Sequence, residues 1–242
     1  MIQLDNVTLF TYVNVEEGID DHIKSLKHSM SGINFGSVKL LAPANTIVDN
    51  GIELIPVPYG DLEEFSRFSV EELHKYIDTD FCLSVQWDGA VINPHLWRDE
   101  FLDYDYIGAP WGTGSERGRW PNRIGNGGFS LRSQKFLQAT AELKYDPDAK
   151  YHDHTDGPES ERQVPLHDPT PEDWFVCVHN YKHMQDRDIN FPDAREALNF
   201  SVEWPRPEKH FVKSDVTTYD SFGFHGDSNT GGMKEIYGVW PK

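Results

Sequence analysis

A carboxylate and an imidazole, far apart in the chain, carry the first chemical clue. Asp88 closes the segment Cys82-Leu-Ser-Val-Gln-Trp-Asp-Gly, in which the apolar run Phe81 to Val85 reads as a buried strand and Gly89 follows the acid. An acid at the C-terminal end of a sheet strand stands where open α/β folds bind ligands. His225 lies within Phe222-Gly-Phe-His-Gly, and the glycines at 223 and 226 let the backbone turn closely. A hard carboxylate oxygen, an imidazole and open positions for phosphate oxygens suit a Mn²⁺ or Mg²⁺ ion. The plain alternatives are a turn-forming aspartate and a core histidine bonded to a carbonyl.

A second pair of acids, Glu172 and Asp173, follows Pro171 at the start of a helical pattern. Acids in a first helical turn complement the helix dipole. A carboxylate there could also take the proton of an attacking hydroxyl, with its neighbour as support or acceptor binder. Gly125-Asn-Gly-Gly128 offers little side chain to block an approaching ligand, and its amides could meet hydroxyls or phosphate; a glycine-rich bulge entering a strand is the alternative. The spacings His152-Asp-His154 and His179-x-x-x-His183 could bind metal, but Asn180 follows His179, so the H-E-x-x-H pattern of hydrolytic zinc sites is absent.

The elements that must position these groups alternate. Val7 to Val13 reads as a strand, Asp20 to Met30 as a helix, Ser37 to Ala42 and Gly51 to Val57 as strands. Ser69 with Glu72 reads as a capping box opening a helix to about Ile77, and the strand at Phe81 follows. Such alternation predicts an α/β domain with a mostly parallel central sheet flanked by helices. No G-x-G-x-x-G follows the first strand and no G-x-x-x-x-G-K-S/T occurs. A short helix is expected near Asn93 to Phe101, a helix from Gln134 to about Leu143, and one from Glu172 to Met184 with Trp174, Phe175, Val178 and Tyr181 on one face. Tyr145 to Pro171 lacks periodicity and reads as a long loop, expected to control access to the acid pair that it precedes. One domain spans residues 1–242.

Composition narrows the function classes. A net charge of −18 over 242 residues argues against nucleic-acid binding, which needs a basic face. Within this acidic chain, Tyr106 to Ala141 carries Arg117, Arg119, Arg123, Arg132 and Lys135 against the single acid Glu116, a pattern that could mark an anion site. No apolar run suits a membrane span, and no signal peptide opens the sequence. Two cysteines, Cys82 and Cys177, in apolar surroundings do not suggest a disulfide framework, so a reducing cytoplasmic compartment is the expectation.

Five motifs in order carry a resemblance. Gln86-Trp-Asp88 ends a strand; Tyr106-Ile-Gly-Ala-Pro-Trp111 follows; then Gly125-Asn-Gly-Gly-Phe-Ser-Leu-Arg-Ser133, the Glu172-Asp173 pair, and Phe222-Gly-Phe-His-Gly226. Together they resemble the GT-A class of nucleotide-sugar glycosyltransferases, and more narrowly a poorly characterised bacterial and viral domain family assigned to that class. The resemblance implies a GT-A-like (Rossmann-like) domain, with residues 1–90 as nucleotide-binding half and 91–242 as donor-sugar and acceptor half. It further implies Mn²⁺ or Mg²⁺ held by Asp88 and His225, a nucleotide-sugar donor, and a glycan or other hydroxyl acceptor. Thr11, Tyr12, Asn14, Gln86, Asp88, Gly127, Gly128 and Arg132 would contact nucleotide or donor, Asp173 would act as base with Glu172 in support, and Trp111, Trp120 and Trp174 could stack on acceptor sugars. The chain departs from better-known members at Gln86, where they carry the first acid of D-x-D. An amide brings no charge, which favours the rival reading of a non-catalytic nucleotide- or sugar-binding protein on the same fold.

Overall fold

The computed structural model describes residues 1–14, 16, 18–111, 122, 124–149, 151–152, 163–164, 169–203 and 220–226. Strands β1 (Ile2–Tyr12), β2 (Ile33–Ala42), β3 (Glu53–Pro56) and β4 (Phe81–Val85) pair in parallel, in the order β3-β2-β1-β4. The short β5 (Ala90–Val91) leaves this sheet. Strands β6 (Tyr106–Gly108) and β7 (Phe129–Ser133) complete it, β7 running antiparallel between β4 and β6. The domain is thus α/β with a mixed six-stranded sheet, and the antiparallel β7 is the departure from the parallel pattern that alternation predicts.

Both sheet faces are covered. Along β1, Phe10 and Tyr12 enter one core cluster and Leu9 and Val13 the other; Cys82 and Leu83 divide in the same way on β4. This period-2 split explains why the strands read as continuous apolar runs. Helices α1 (Ile19–Ser29), through Leu26, and α2 (Leu62–Glu71), through Phe65 and Val70, lie on opposite faces, and α3 (Gln134–Ala141) joins the α2 side through Phe136 and Leu137.

Two elements differ from the expected boundaries. The capping box is Asp61 with Glu64: Asp61 accepts from Glu64 N at 2.9 Å, and Glu64 accepts from Asp61 N at 3.0 Å. Ser69 lies inside α2, and the chain continues as a 3₁₀ turn at Leu73–Lys75. The helix expected over Glu172 to Met184 is broken into α4 (Glu172–Trp174), a π turn (Phe175–His179) and α5 (Tyr181–Gln185). Trp174 to Val178 are five consecutive buried residues, more than the single stripe of a regular α-helix can bury. The widened turn closes by Asn180 N donating to Phe175 O at 3.0 Å.

The expected 145–171 loop contains short pairings among its described residues. Strands β8 (Tyr151–His152) and β9 (Gln163–Val164) pair antiparallel, and Thr170 N donates to Pro147 O at 2.9 Å. Residues 153–162, including His154, lie outside the described residues, as do Arg117, Arg119, Trp120 and Arg123. Finally, α6 (Ala194–Phe200) leads into β10 (Ser201–Val202), which pairs with β11 (Gly223–Phe224), and β11 pairs in turn with β5.

Candidate functional site

The site is built where β4, β7 and the small β10-β11-β5 sheet end together. Gln86 N donates to Gly128 O at 2.9 Å, so the residues after β4 and the glycine loop before β7 share one edge. Gly226 N donates to Asp88 O at 3.0 Å, and β11 is antiparallel to β5, which brings His225 beside Asp88. A cavity of about 250 Å³ opens there, lined by Gln86, Asn126, Gly128, Glu172, Asp173 and His225 among others.

At one end His225 Nε2 lies 3.4 Å from Asp88 Oδ1 and 3.4 Å from Gln86 Oε1. Asp88 Oδ1 is buried and makes no hydrogen bond of ordinary geometry. Burial, the largest influence on Asp88, pushes its carboxyl up; the polar contact and charge of His225 outweigh it and hold Asp88 below its ordinary value. Burial likewise opposes the charged imidazole, but Asp88 overcomes it and His225 is raised. Gly128 is required by approach rather than by backbone angle: a Cβ there would fall 1.9 Å from His225 Nε2.

Among the described residues no three His, Cys, Asp or Glu side chains gather as a ready metal site. The pair expected to hold an ion nevertheless fits one. Two donors each about 2.1 Å from an ion, at octahedral to tetrahedral angles, stand about 3.0–3.4 Å apart, and Asp88 Oδ1 and His225 Nε2 are 3.4 Å apart. Gln86 Oε1, at the same distance from His225, adds a neutral oxygen where the sequence lacks the acid.

At the other end, Glu172 and Asp173 open α4 as expected. Asp173 Oδ2 accepts from Gly127 N at 3.0 Å and its Oδ1 from Trp174 N at 2.8 Å. The acid therefore both starts the helix and fixes the glycine loop. Burial first, then the charge of Glu172, raises Asp173 above the usual carboxylate range. Glu172 is also raised by burial, against the opposing pull of Arg132. Arg132 lies beneath the loop, 5% exposed: Nη2 donates to Gly127 O at 3.1 Å, Nε to Ser130 Oγ at 3.0 Å, and Nη2 stands 3.6 Å from Glu172 Oε1. Gly127 is thus gripped at its amide by Asp173 and at its carbonyl by Arg132.

The remaining expected contacts are placed as follows. Thr11 is fully buried and its hydroxyl meets His22 Nδ1 at 2.8 Å; Tyr12 packs its ring 5.0 Å from those of Phe65 and Phe68. Asn14 is partly exposed, and its carbonyl accepts from Gly60 N at 2.8 Å. Trp111 and Trp174 are core residues, 1% and 4% exposed. Of the basic stretch, Lys135 pairs with Asp105. The structure adds two cavity residues that sequence reasoning did not single out for a role. Asn126 Oδ1 is buried without a hydrogen-bond partner among the described residues, and Glu203 stands beside His225, its Oε1 4.0 Å from Nδ1. Asn126 sat in plain view inside the glycine motif; Glu203 lies in a stretch with no motif.

The strand-end edge of this α/β domain thus carries a cavity lined by Glu172, Asp173, Glu203 and His225, with Asp88 beside the histidine. Residues 57–225 match the family model described as a protein of unknown function, DUF5672, and the chain belongs to that family. The matched segment contains every residue of the cleft from Gln86 to His225. A comparison with curated proteins finds no match.

Proposed function

We propose that the protein is a metal-assisted glycosyltransferase that moves a sugar from a nucleotide-sugar donor to a hydroxyl acceptor. The observation that carries this reading is the 3.4 Å spacing of Asp88 Oδ1 and His225 Nε2, with the same Nε2 3.4 Å from Gln86 Oε1 and the ring packed against Gly128. The cleft also holds Glu172, Asp173 and Glu203. So acidic a cleft repels a diphosphate unless a cation neutralises it. A divalent ion held by Asp88 and His225, with Gln86 as neutral partner, would stabilise the charge that develops on a leaving nucleoside diphosphate.

The chain's own residues supply the rest. Gly128 lines the cavity beside His225, where a donor sugar would lie, and Asn126 Oδ1 offers an unspent acceptor to a sugar hydroxyl. Asp173, at the opposite end, takes the proton of the acceptor hydroxyl as it attacks. Each carboxylate oxygen has two lone-pair directions, so its two main-chain hydrogen bonds leave capacity for that proton. The resemblance to GT-A enzymes in the ordered motifs supports the same assignment.

Non-catalytic nucleotide or sugar binding is the second reading. It is favoured by one observation, that both Asp173 oxygens are already engaged by main-chain amides. Release of nucleoside diphosphate from a panel of nucleotide sugars, with and without Mn²⁺, separates the two. Metal-dependent release with loss in Asp88→Asn and His225→Ala is expected. Calorimetry showing tight nucleotide binding but no turnover with any donor would favour the binding module.

A further inference from the structure

We propose that Glu203 is the positioning residue for His225, holding the imidazole from behind so that Nε2 faces the ion. The inference rests on the metal reading above and extends it to a residue outside the sequence motifs. Its basis is the small sheet. Strand β10 runs parallel to β11 with Ser201 opposite Gly223 and Val202 opposite Phe224. One residue further on, His225 N donates to Val202 O at 2.9 Å, so Glu203 and His225 leave the sheet side by side. On the other flank Phe224 pairs with Ala90, and Gly226 N bonds to Asp88 O. The sheet therefore delivers Glu203, His225 and Asp88 in a row.

The two ring nitrogens face different partners. Nε2 faces Asp88 Oδ1 and Gln86 Oε1, each at 3.4 Å, while Nδ1 faces Glu203 Oε1 at 4.0 Å. An imidazole that binds metal presents a lone pair at one nitrogen and carries its proton on the other, where a carboxylate fixes the tautomer and the ring plane. The 4.0 Å contact is about 1 Å longer than a hydrogen bond. A cation at Nε2 would make Nδ1–H a stronger donor and would favour a shorter contact with Glu203. Gly128 packs against the face of the same ring, with no room for a Cβ. The ring is thus fixed by the loop on one side, and Glu203 sets its remaining rotation.

The test is Mn²⁺ binding to the full chain, read by electron paramagnetic resonance of free ion, in the native protein and in Glu203→Gln, Glu203→Ala, Glu203→Asp, Asp88→Asn and His225→Ala. Melting temperatures are followed in parallel. Glu203→Gln and Glu203→Ala should bind Mn²⁺ about 10–100-fold more weakly, the usual cost of losing an outer partner of a ligand histidine. Glu203→Asp should recover most of the affinity, and Glu203→Gln, which keeps the shape, should melt like the native protein. Native-like Mn²⁺ affinity in Glu203→Gln, with binding abolished in Asp88→Asn and His225→Ala, overturns the role of Glu203 and leaves the metal reading standing. Native-like affinity in Asp88→Asn and His225→Ala removes the metal reading and this inference with it. A loss in Glu203→Gln that tracks a fall in melting temperature and is not rescued by aspartate would make Glu203 a structural residue only, which also overturns the proposal.

Discussion

Gly128→Ala isolates the geometry of the proposed ion site without removing any ligand. The added Cβ would lie 1.9 Å from His225 Nε2 and 2.2 Å from Cδ2. Non-bonded heavy atoms settle near 3.5 Å, so ring or loop must yield by about 1.6 Å. The ring is hemmed in, because its main chain is bonded to Val202 O and it packs beside Gly89. The loop is tied as well, since Gly128 O accepts from Gln86 N at 2.9 Å. A shift of the ring separates His225 Nε2 from Asp88 Oδ1, and a shift of the loop pulls on Gln86, whose main-chain amide donates to Gly128 O. Disturbing the support of a ligand histidine costs about 10–100-fold in metal affinity, so Mn²⁺-dependent affinity for a nucleoside diphosphate should fall by that order in calorimetry. Overpacking itself costs about 1–3 kcal/mol, which in a domain of this size lowers the melting temperature by roughly 2–12 °C. A folded Gly128→Ala protein with native Mn²⁺ and nucleotide affinity would refute the argument, because no relaxed arrangement then needs the ring where it stands.

Three further outcomes follow from the same geometry. Gly127→Ala would place a Cβ 2.5 Å from Glu172 Oε1 and 3.2 Å from Asp173 Cβ; it should impair sugar transfer while Mn²⁺ binding, read by paramagnetic resonance, stays native. Asp173→Asn should lower turnover by about 10²-fold or more with donor binding intact. Because the native Asp173 carboxyl is raised, its rate should climb with pH above the ordinary carboxylate range, and the variant should lose that limb of the pH–rate profile. His22 is pushed down to about 4, chiefly by burial. A histidine lowered on folding contributes stability above its unfolded value near 6.5 that is lost as pH falls through the folded value. The unfolding free energy from denaturant titrations should therefore drop between about pH 6.5 and 4, by of order 3 kcal/mol in total, and His22→Gln should flatten that slope.

How much of this was legible in the sequence depends on whether the signal was local. The strand Phe81–Val85 and the turn to Asp88 were readable because a doubly buried strand is apolar at nearly every position, here all but Ser84, and its end is marked by Gln-Trp-Asp-Gly. The helix start at Gln134 was readable for the same kind of reason, with Ser133 accepting from Phe136 N as its cap. Where two segments offered the same local pattern, sequence could not choose between them. Asp61-Leu-Glu-Glu64 and Ser69-Val-Glu-Glu72 both fit a capping box, and Tyr12 decides the matter by packing on Phe65 and Phe68 of a helix that has already begun. The π turn after Glu172 was hidden because a periodic pattern assumes one buried stripe, whereas Trp174 to Val178 fill space on several sides. Glu203 was hidden for a stronger reason. Nothing in Ser201-Val-Glu-Trp204 marks an acid with a role, and its place beside His225 exists only through a parallel pairing between segments about 20 residues apart. The site is therefore one whose ligands were announced by local chemistry and whose support is set by topology. Under the proposed metal reading, that division predicts where this family should tolerate change: Gln86, Asp88, Gly128 and His225 would answer directly to the ion, while the acid at 203 would answer only to the ring in front of it. An aspartate there would do most of the same work.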